Sequence, residues 1–431
     1  MSKLYALIIL AILVATSVGA YAIMNSDDDD DKDQIESGDR KEWTFMVYLD
    51  ADNNLEGAGI NDLNEMEITG STEDVNIVAL MDRAEGYDTS NGDWTDWRYY
   101  YVEKDPGGTD ESMVSTEIDY PHLEAGAEPN MGDPQTLVDF VTWSMENYPA
   151  EKYLLSLWNH GGGIRGVCWD DSTPDQDNLN LPELKAAFEE ITNRTDDRID
   201  IVGFDACLMG EVGIHYQLNP FCDIIVASEA TESNDGWPYD LLLLDVVADP
   251  SLDAENVSRI LVEHYVESYG VLEPWVTQSA FRTKEMEQVF IHLDAVAENL
   301  TENLPEYEAS IADSRENAES YDLTKEGPYM PEMSGYPMSD LWDFLDELER
   351  IEHGTWIDDD LMNTITSLKN SISAARIAFG SGTDMPDSHG LSVYFPQTQQ
   401  TGTSTYSEEY DTLEFSEDHL WDDFLKAYYL D

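Results

Sequence analysis

The 431 residues carry 91 Asp and Glu against 21 Lys and Arg, a formal net charge of −70, with 42% hydrophobic and 11% aromatic residues. That apolar share supports a folded core and excludes global disorder. The charge excludes nucleic acid and anionic lipid as partners of the folded part, because a like-charged surface repels them, and it favours basic peptides. The acids lie along the whole chain rather than in one patch. That is the pattern expected of a halophilic protein, since concentrated salt screens charge over a few ångströms and makes dense like charge tolerable.

In chain order, Lys3 precedes an uncharged stretch from Leu4 to Met24. Residues 1–24 read as a signal peptide, with a small-x-small site at Ala20-Tyr21-Ala22, or as a membrane anchor, since 21 uncharged residues can span a bilayer. The stretch runs on through Ile23 and Met24, which favours a retained transmembrane anchor. No Cys follows, so a lipoprotein anchor has no support. Lys3 inside and Asp27–Asp31 outside give one orientation in either case, and the body is expected outside the cytoplasm, membrane-anchored or secreted. Residues 25–41 form an acidic linker with too little apolar content to fold.

The folded part begins near Trp43. Buried strands are expected over Thr44–Leu49 and Val75–Met81, and an edge strand over Trp97–Val102. Asp133-Pro134 opens a helix with Leu137, Phe140, Val141 and Met145 on one face. Two apolar runs, Tyr153–Trp158 and Ile199–Phe204, flank a helix over Leu181–Ile191, and a further strand covers Cys222–Ser228 after a helix that begins near Met209. Strand, helix, strand implies a right-handed crossover and parallel neighbours. Residues 42–245 are therefore expected to form an α/β unit around a largely parallel sheet covered by helices. Residues 246–431 read as a helix-rich region packed on that sheet, with helices over Asn256–Tyr269, Lys284–Leu304, Ser339–Ile351, Leu361–Phe379 and Glu417–Tyr429, and a strand at Leu391–Phe395.

The two central runs break at chemically loaded turns. The first ends at Asn159-His160-Gly161-Gly162-Gly163 and the second at Asp205-Ala206-Cys207. Parallel neighbours end on one sheet edge, where open α/β sheets bind ligands. A lone Cys is more often a small buried hydrophobe. A Cys and a His at adjacent strand ends are the arrangement a thiol nucleophile and its base require. The glycines let a bound chain approach and leave N–H groups of Gly161 and Cys207 for an oxyanion. His215 ranks below His160 because it falls on the next helix. Cys168 and Cys222 are expected to be buried free thiols. No CxxC or HxxxH spacing calls for zinc.

These motifs resemble the clostripain family of cysteine peptidases, within the caspase–gingipain–legumain clan. Met46–Leu55 resembles the family's first strand and loop, Arg165–Asp171 its segment after the histidine, and His389–Pro396 its late strand. The resemblance spans about residues 42–430 and implies a caspase-like fold and a Cys207/His160 dyad. It implies cleavage after Arg or Lys in protein or peptide substrates, with Asp205 and Asp235 lining the pocket for the basic side chain and Trp237 as a wall. It implies no organic cofactor and suggests calcium, with no ligand set that the sequence singles out. A monomer is expected. Relatives that process themselves cut between the His and the Cys, but Asp171–Leu184 contains no Lys or Arg, so an uncut chain is expected here. The competing reading is a catalytically silent, membrane-tethered surface or binding protein that keeps the fold; the intact His160 and Cys207 argue against it.

Overall fold

The computed structural model describes residues 40–107, 112–121, 130–173, 176–321, 338–350, 359–396 and 410–430. The expected N-terminal span lies outside them, and among the described residues no helix is long and apolar enough to cross a membrane.

The elements run β1 (Lys41–Ala51), α1 (Glu56–Thr69), β2 (Val75–Arg83), β3 (Arg98–Tyr101), β4 (Thr116–Glu117), α2 (Pro134–Asn147), β5 (Ala150–Trp158), α3 (Leu181–Thr195), β6 (Ile199–Asp205), α4 (Val212–Leu218), β7 (Cys222–Ala227), α5 (Tyr239–Ala248) and α6 (Ala254–Tyr269). There follow β8 (Thr277–Arg282), α7 (Thr283–Glu302), α8 (Leu304–Asn317), β9 (Met338–Asp340), α9 (Leu341–Glu349), α10 (Asp359–Ala375), β10 (Arg376–Ser381), β11 (Ser392–Tyr394), α11 (Glu414–Asp418) and α12 (Trp421–Leu430).

Nine strands make one sheet in the order β10-β8-β7-β6-β5-β1-β2-β3-β4. The five central strands, β7 to β2, are mutually parallel, and antiparallel strands extend both edges. The expected largely parallel, helix-covered α/β sheet is therefore the one observed. Side-chain alternation splits the core into two layers. Met46, Tyr48, Leu155, Val202 and Ile225 face α2, α3, α4 and α7, while Phe45, Val47, Leu154, Ile201 and Ile224 face α1, α5 and α6. Local signals place the helices: Asp133 caps α2 at Gln135 N (2.8 Å), and Asn180 and Glu183 form a reciprocal capping box on α3.

The second half does more than cover the sheet. β8 and β10 add two strands to it, which the helical reading of that region missed. The helix expected over Leu361–Phe379 stops at Ala375, and the chain turns into β10, which includes Gly380, to pair with β8. The helix expected over Glu417–Tyr429 is two helices, because Asp294 accepts from Leu420 N (2.8 Å) and His419 Nδ1 (2.9 Å) and starts a new helix there. Helix α1 was not anticipated at all.

Strand order reverses beside β1: β2 lies on one side of it, β5 and then β6 on the other. At such a switch point the crossover connections leave to opposite faces and open a crevice at the C-terminal ends of the strands. The ends of β1, β5 and β6 meet there.

Candidate active site

β5 and β6 pair in register with Trp158 opposite Asp205. The two turns that follow are thereby forced together. Asn159 N donates to Asp205 O (3.3 Å), and a Cβ built on Gly161 would lie 2.2 Å from the Cys207 carbonyl oxygen and 3.1 Å from Cys207 N. Only a residue without a side chain allows that approach. His160 and Cys207 thus leave adjacent strand ends into one cleft, which both line together with Leu55, Trp158, Asp205 and Glu232.

His160 is half-buried, and its Nε2 lies 2.9 Å from Asn54 Oδ1. An amide oxygen only accepts, so Nε2 carries the ring proton and Nδ1 keeps the lone pair. Burial holds the imidazole below its ordinary pKa, against the opposing pull of Asp171. Its backbone is fixed through Asn159, whose Oδ1 accepts from His160 N and whose amide nitrogen donates to Asp50 O (3.0 Å) and Trp169 O (2.9 Å).

Cys207 is half-buried and accepts a hydrogen bond at Sγ from Glu232 N (3.3 Å). Burial, then the neighbouring Glu232 and Asp205 charges, push its thiol up to about 12. Burial thus disfavours the charged form of both the thiol and the imidazole that line this cleft. Cys168 and Cys222 are buried and unbridged. His215 is buried against Phe281, well inside the core, where burial pulls it down to about 3.

Beneath the thiol lie carboxylates. Asp205, 4% exposed, accepts from Trp237 N (3.0 Å) and Tyr239 Oη (2.9 Å); burial raises it to about 7. Glu232 is buried beside it and held by Gln278 Nε2 (2.8 Å), and burial and then the Asp205 charge raise it well above the usual range. Asp62 of α1, buried and bonded to Trp158 Nε1 (2.6 Å), is raised by burial and then by Asp205. Three carboxyls so placed share protons rather than all ionising.

The structure brings His160, Gly161, Cys207 and Asp205 together. It places Asp235 differently from the pocket position expected of it: its side chain is exposed and does not line the cleft, although its neighbours Asn234 and Gly236 do. Trp237 is fully buried under β6, where a Cβ on Gly203 would meet its ring at 2.3 Å, so it supports Asp205 from below instead of walling the cleft. Glu232, Asp62 and Asn54 are the neighbours that sequence reasoning did not single out.

A second acidic group lies on the other side of Asn159. Asp52, Asp82 and Asp170 are buried, and each offers an oxygen within 4.8 Å of the others.

With this geometry in hand, the chain was compared with known proteins. The model of the clostripain family (Peptidase_C11) matches residues 47–428. Clostripain of Hathewaya histolytica is 28% identical over 418 residues, covering 85% of this chain and 76% of that protein. A secreted C11 cysteine protease from Bacteroides thetaiotaomicron, solved with an irreversible peptide inhibitor, superposes with a TM-score of 0.60 at 19% identity, covering 88% of this chain and 98% of that one. An inactive zymogen C11 protease from Parabacteroides distasonis superposes with the same score at 17% identity, again covering 88% and 98%. At those identities the two structures speak to the fold alone.

Proposed function

The chain belongs to the clostripain family of cysteine endopeptidases, and from that membership we propose that it cuts peptide bonds after Arg or Lys, outside the cytoplasm, with Cys207 as nucleophile and His160 as proton carrier. Cysteine peptidases of this family need no organic cofactor. The uncharged N-terminal stretch supports export, with residues 1–24 removed or kept as an anchor.

His160 Nδ1 takes the thiol proton as Sγ attacks the carbonyl carbon after the basic residue. The C–S bond forms and the carbonyl π pair moves to oxygen, where the N–H groups of Gly161 and Cys207 stabilise it. Collapse breaks the C–N bond, and the imidazolium gives its proton to the leaving amine. Water, deprotonated by the same nitrogen, then releases the acid and restores the thiol. A neutral resting imidazole suits the first step, and Asn54 keeps its tautomer correct.

The observation that carries the specificity is Glu232. Its backbone N–H touches the sulfur of Cys207 while its side chain lies against Asp205, so a cationic side chain reaching these carboxylates brings its own carbonyl to the thiol. We place Asp205 and Glu232 at the base of the pocket and the exposed Asp235 at its rim. A guanidinium there displaces the protons the carboxyls hold and offsets the charges that keep the thiol protonated, so substrate binding itself favours thiolate formation.

The test is covalent labelling with an arginyl and a norleucyl chloromethyl ketone. The expected result is one label per chain, at Cys207, with the arginyl reagent strongly preferred and no labelling of Cys207→Ala. Equal rates for the two reagents would overturn the specificity, and labelling elsewhere would overturn the nucleophile.

A further inference from the structure

Along the edge that holds the cleft the strands stand in the order β5, β6, β7, β8. His160 follows β5, Cys207 follows β6 and the Glu232 turn follows β7. β8 runs antiparallel to β7 with Ser279 opposite Ala227, so the chain entering β8 comes from that same edge. The turn between α6 and β8, residues 270–276, is therefore next in line, on the side of Cys207 away from His160.

This turn presents Val271 and Leu272 to solvent, each 79% exposed, more than any other large apolar side chain among the described residues. A single exposed apolar side chain needs no explanation. Two neighbours on a fixed tip beside a cleft do. The tip is held by Glu273 N donating to Tyr269 O (2.8 Å), Thr383 N to Gly270 O (3.2 Å), Asp384 N to Pro274 O (2.9 Å) and Gly382 N to Val276 O (2.7 Å). Ser233, which lines the cleft, ties the two places together: its Oγ donates to Glu273 Oε1 (2.8 Å) and its N to Tyr265 Oη of α6 (2.9 Å). An apolar contact ordered in advance loses little entropy when a ligand covers it.

We propose that Val271 and Leu272 are a second recognition element, which takes an apolar side chain from among the three residues before the Arg or Lys of the substrate; this rests on the peptidase reading of the cleft. In that reaction His160 gives its proton to the leaving amine, so the leaving chain lies on the β5 side. The residues before the basic one then run the other way, over the ends of β7 and β8. Neighbouring strands lie about 4.8 Å apart, so β8 is roughly 10 Å from β6, the reach of about three extended residues. The contact also does what charge cannot. Acids spread over the whole chain attract any basic peptide, whereas an apolar tip distinguishes one basic peptide from another.

The test reads binding and cutting separately. Acetylated tetrapeptide amides ending in Arg, with three Ser before it or with Leu at one of those positions, are titrated calorimetrically into the full chain carrying Cys207→Ala, in 2 M KCl to damp the pull of the acidic surface. Leu at one position is expected to tighten binding about 10-fold, what covering roughly two methylene groups supplies. Val271→Ser combined with Leu272→Ser should erase the gain, and Ile291→Ser, on exposed α7 surface across the sheet, should keep it. Leu272→Ser alone is read the same way if the double variant lowers Tm. With Cys207 intact and fluorogenic amides, the gain should appear as a lower KM with kcat little changed. No gain at any of the three positions, or a gain that survives the double variant, overturns the inference. Arginyl peptides that bind with this preference and are never cut would support the contact and overturn the peptidase reading.

Discussion

Asp205→Asn separates what the pocket does for recognition from what it costs the fold. An ordinary Asp titrates near 3.8, and burial raises Asp205 to about 7. The folded state therefore holds a proton that the unfolded chain releases between about pH 4 and 7. Stability falls as pH rises through that window, and the cost is fully present above it. At 1.36 kcal/mol per pH unit the gap amounts to about 4 kcal/mol. That figure is a ceiling, because Glu232 and Asp62 take up part of the same proton. Asparagine removes the charge and keeps the contacts: its Oδ1 can accept from Trp237 N and Tyr239 Oη, and its amide can donate to Glu232. The variant should therefore gain up to about 4 kcal/mol over the parent at pH 8 and nothing near pH 4. Its kcat/KM on arginyl substrates should fall between about 30- and 5,000-fold, the 2–5 kcal/mol that follows loss of one buried partner of a charge pair. Denaturant titration of both proteins in the Cys207→Ala background, at pH 4, 6 and 8 in 2 M KCl, measures the first effect. Amide hydrolysis with Cys207 intact measures the second. A variant no more stable than its parent at pH 8 would refute the assignment of Asp205 as a strained buried acid, whatever its activity.

Gly161→Ala inserts a methyl 2.2 Å from the Cys207 carbonyl oxygen, so the strand ends must part; kcat should drop far more than KM rises, and the reverse pattern would move these glycines from oxyanion support to substrate binding. If the surface acidity is an adaptation to salt, Tm should climb steeply with KCl into the molar range, whereas equal stability in dilute buffer would redirect attention to a basic partner. Intact-mass analysis of active enzyme should find no cut between His160 and Cys207. Arg194 is tied to Asp139 and Glu190 and Arg198 to Asp223, at the end of α3 and the start of β6, so a new terminus at Thr195 or Ile199 would contradict the structure's reason for an uncut chain.

The central strands were legible because the buried parallel ones read as unbroken apolar runs, and α2 and α3 because Asp133 and Asn180 stand where caps belong. His160 and Cys207 followed from the strands, since parallel neighbours end on one edge. What could not be read shares a cause: polar residues in buried places. Helix α1 carries Glu56, Asp62 and Glu67 on its buried side, so its apolar spacing is broken and it passes for a loop. Strand β8 opens with Thr277, Gln278 and Ser279, all buried and all hydrogen-bonded, which no apolar pattern reports. Glu232 had no signal of its own among 91 acids. It was passed over for Asp235, three residues on, because sequence spacing cannot show which side chain a turn points inward. Here Ser233 Oγ, accepting from Asp235 N, and Gly236 at φ 67° shape a turn with Glu232 buried and Asp235 in solvent.

Two populations of acid follow, and salt adaptation accounts for one. Surface carboxylates gain from concentrated cations because they face them. Asp50, Asp52, Asp62, Asp82, Asp170, Asp205 and Glu232 do not; each is buried, and a buried carboxylate without a counter-charge is costly at any salt concentration. They gather at the C-terminal ends of β1, β2, β5 and β6, on either side of the Asn159–His160 turn. A buried acid persists only if something neutralises it: a proton, a cationic side chain or a metal ion. On the Cys207 side, protons held by Asp205 and Glu232 can be exchanged for a guanidinium or ammonium group that arrives with the bond to be cut. On the other side of Asn159, Asp170 accepts from Met131 N (2.9 Å), Ser172 N (3.2 Å) and Thr173 N (3.2 Å), and burial raises its carboxyl to about 6, so backbone donors and a readily held proton stabilise it there. The proposed choice of a basic substrate therefore rests on where the buried acids lie: only those beside Cys207 can exchange their protons for a cation that the substrate brings.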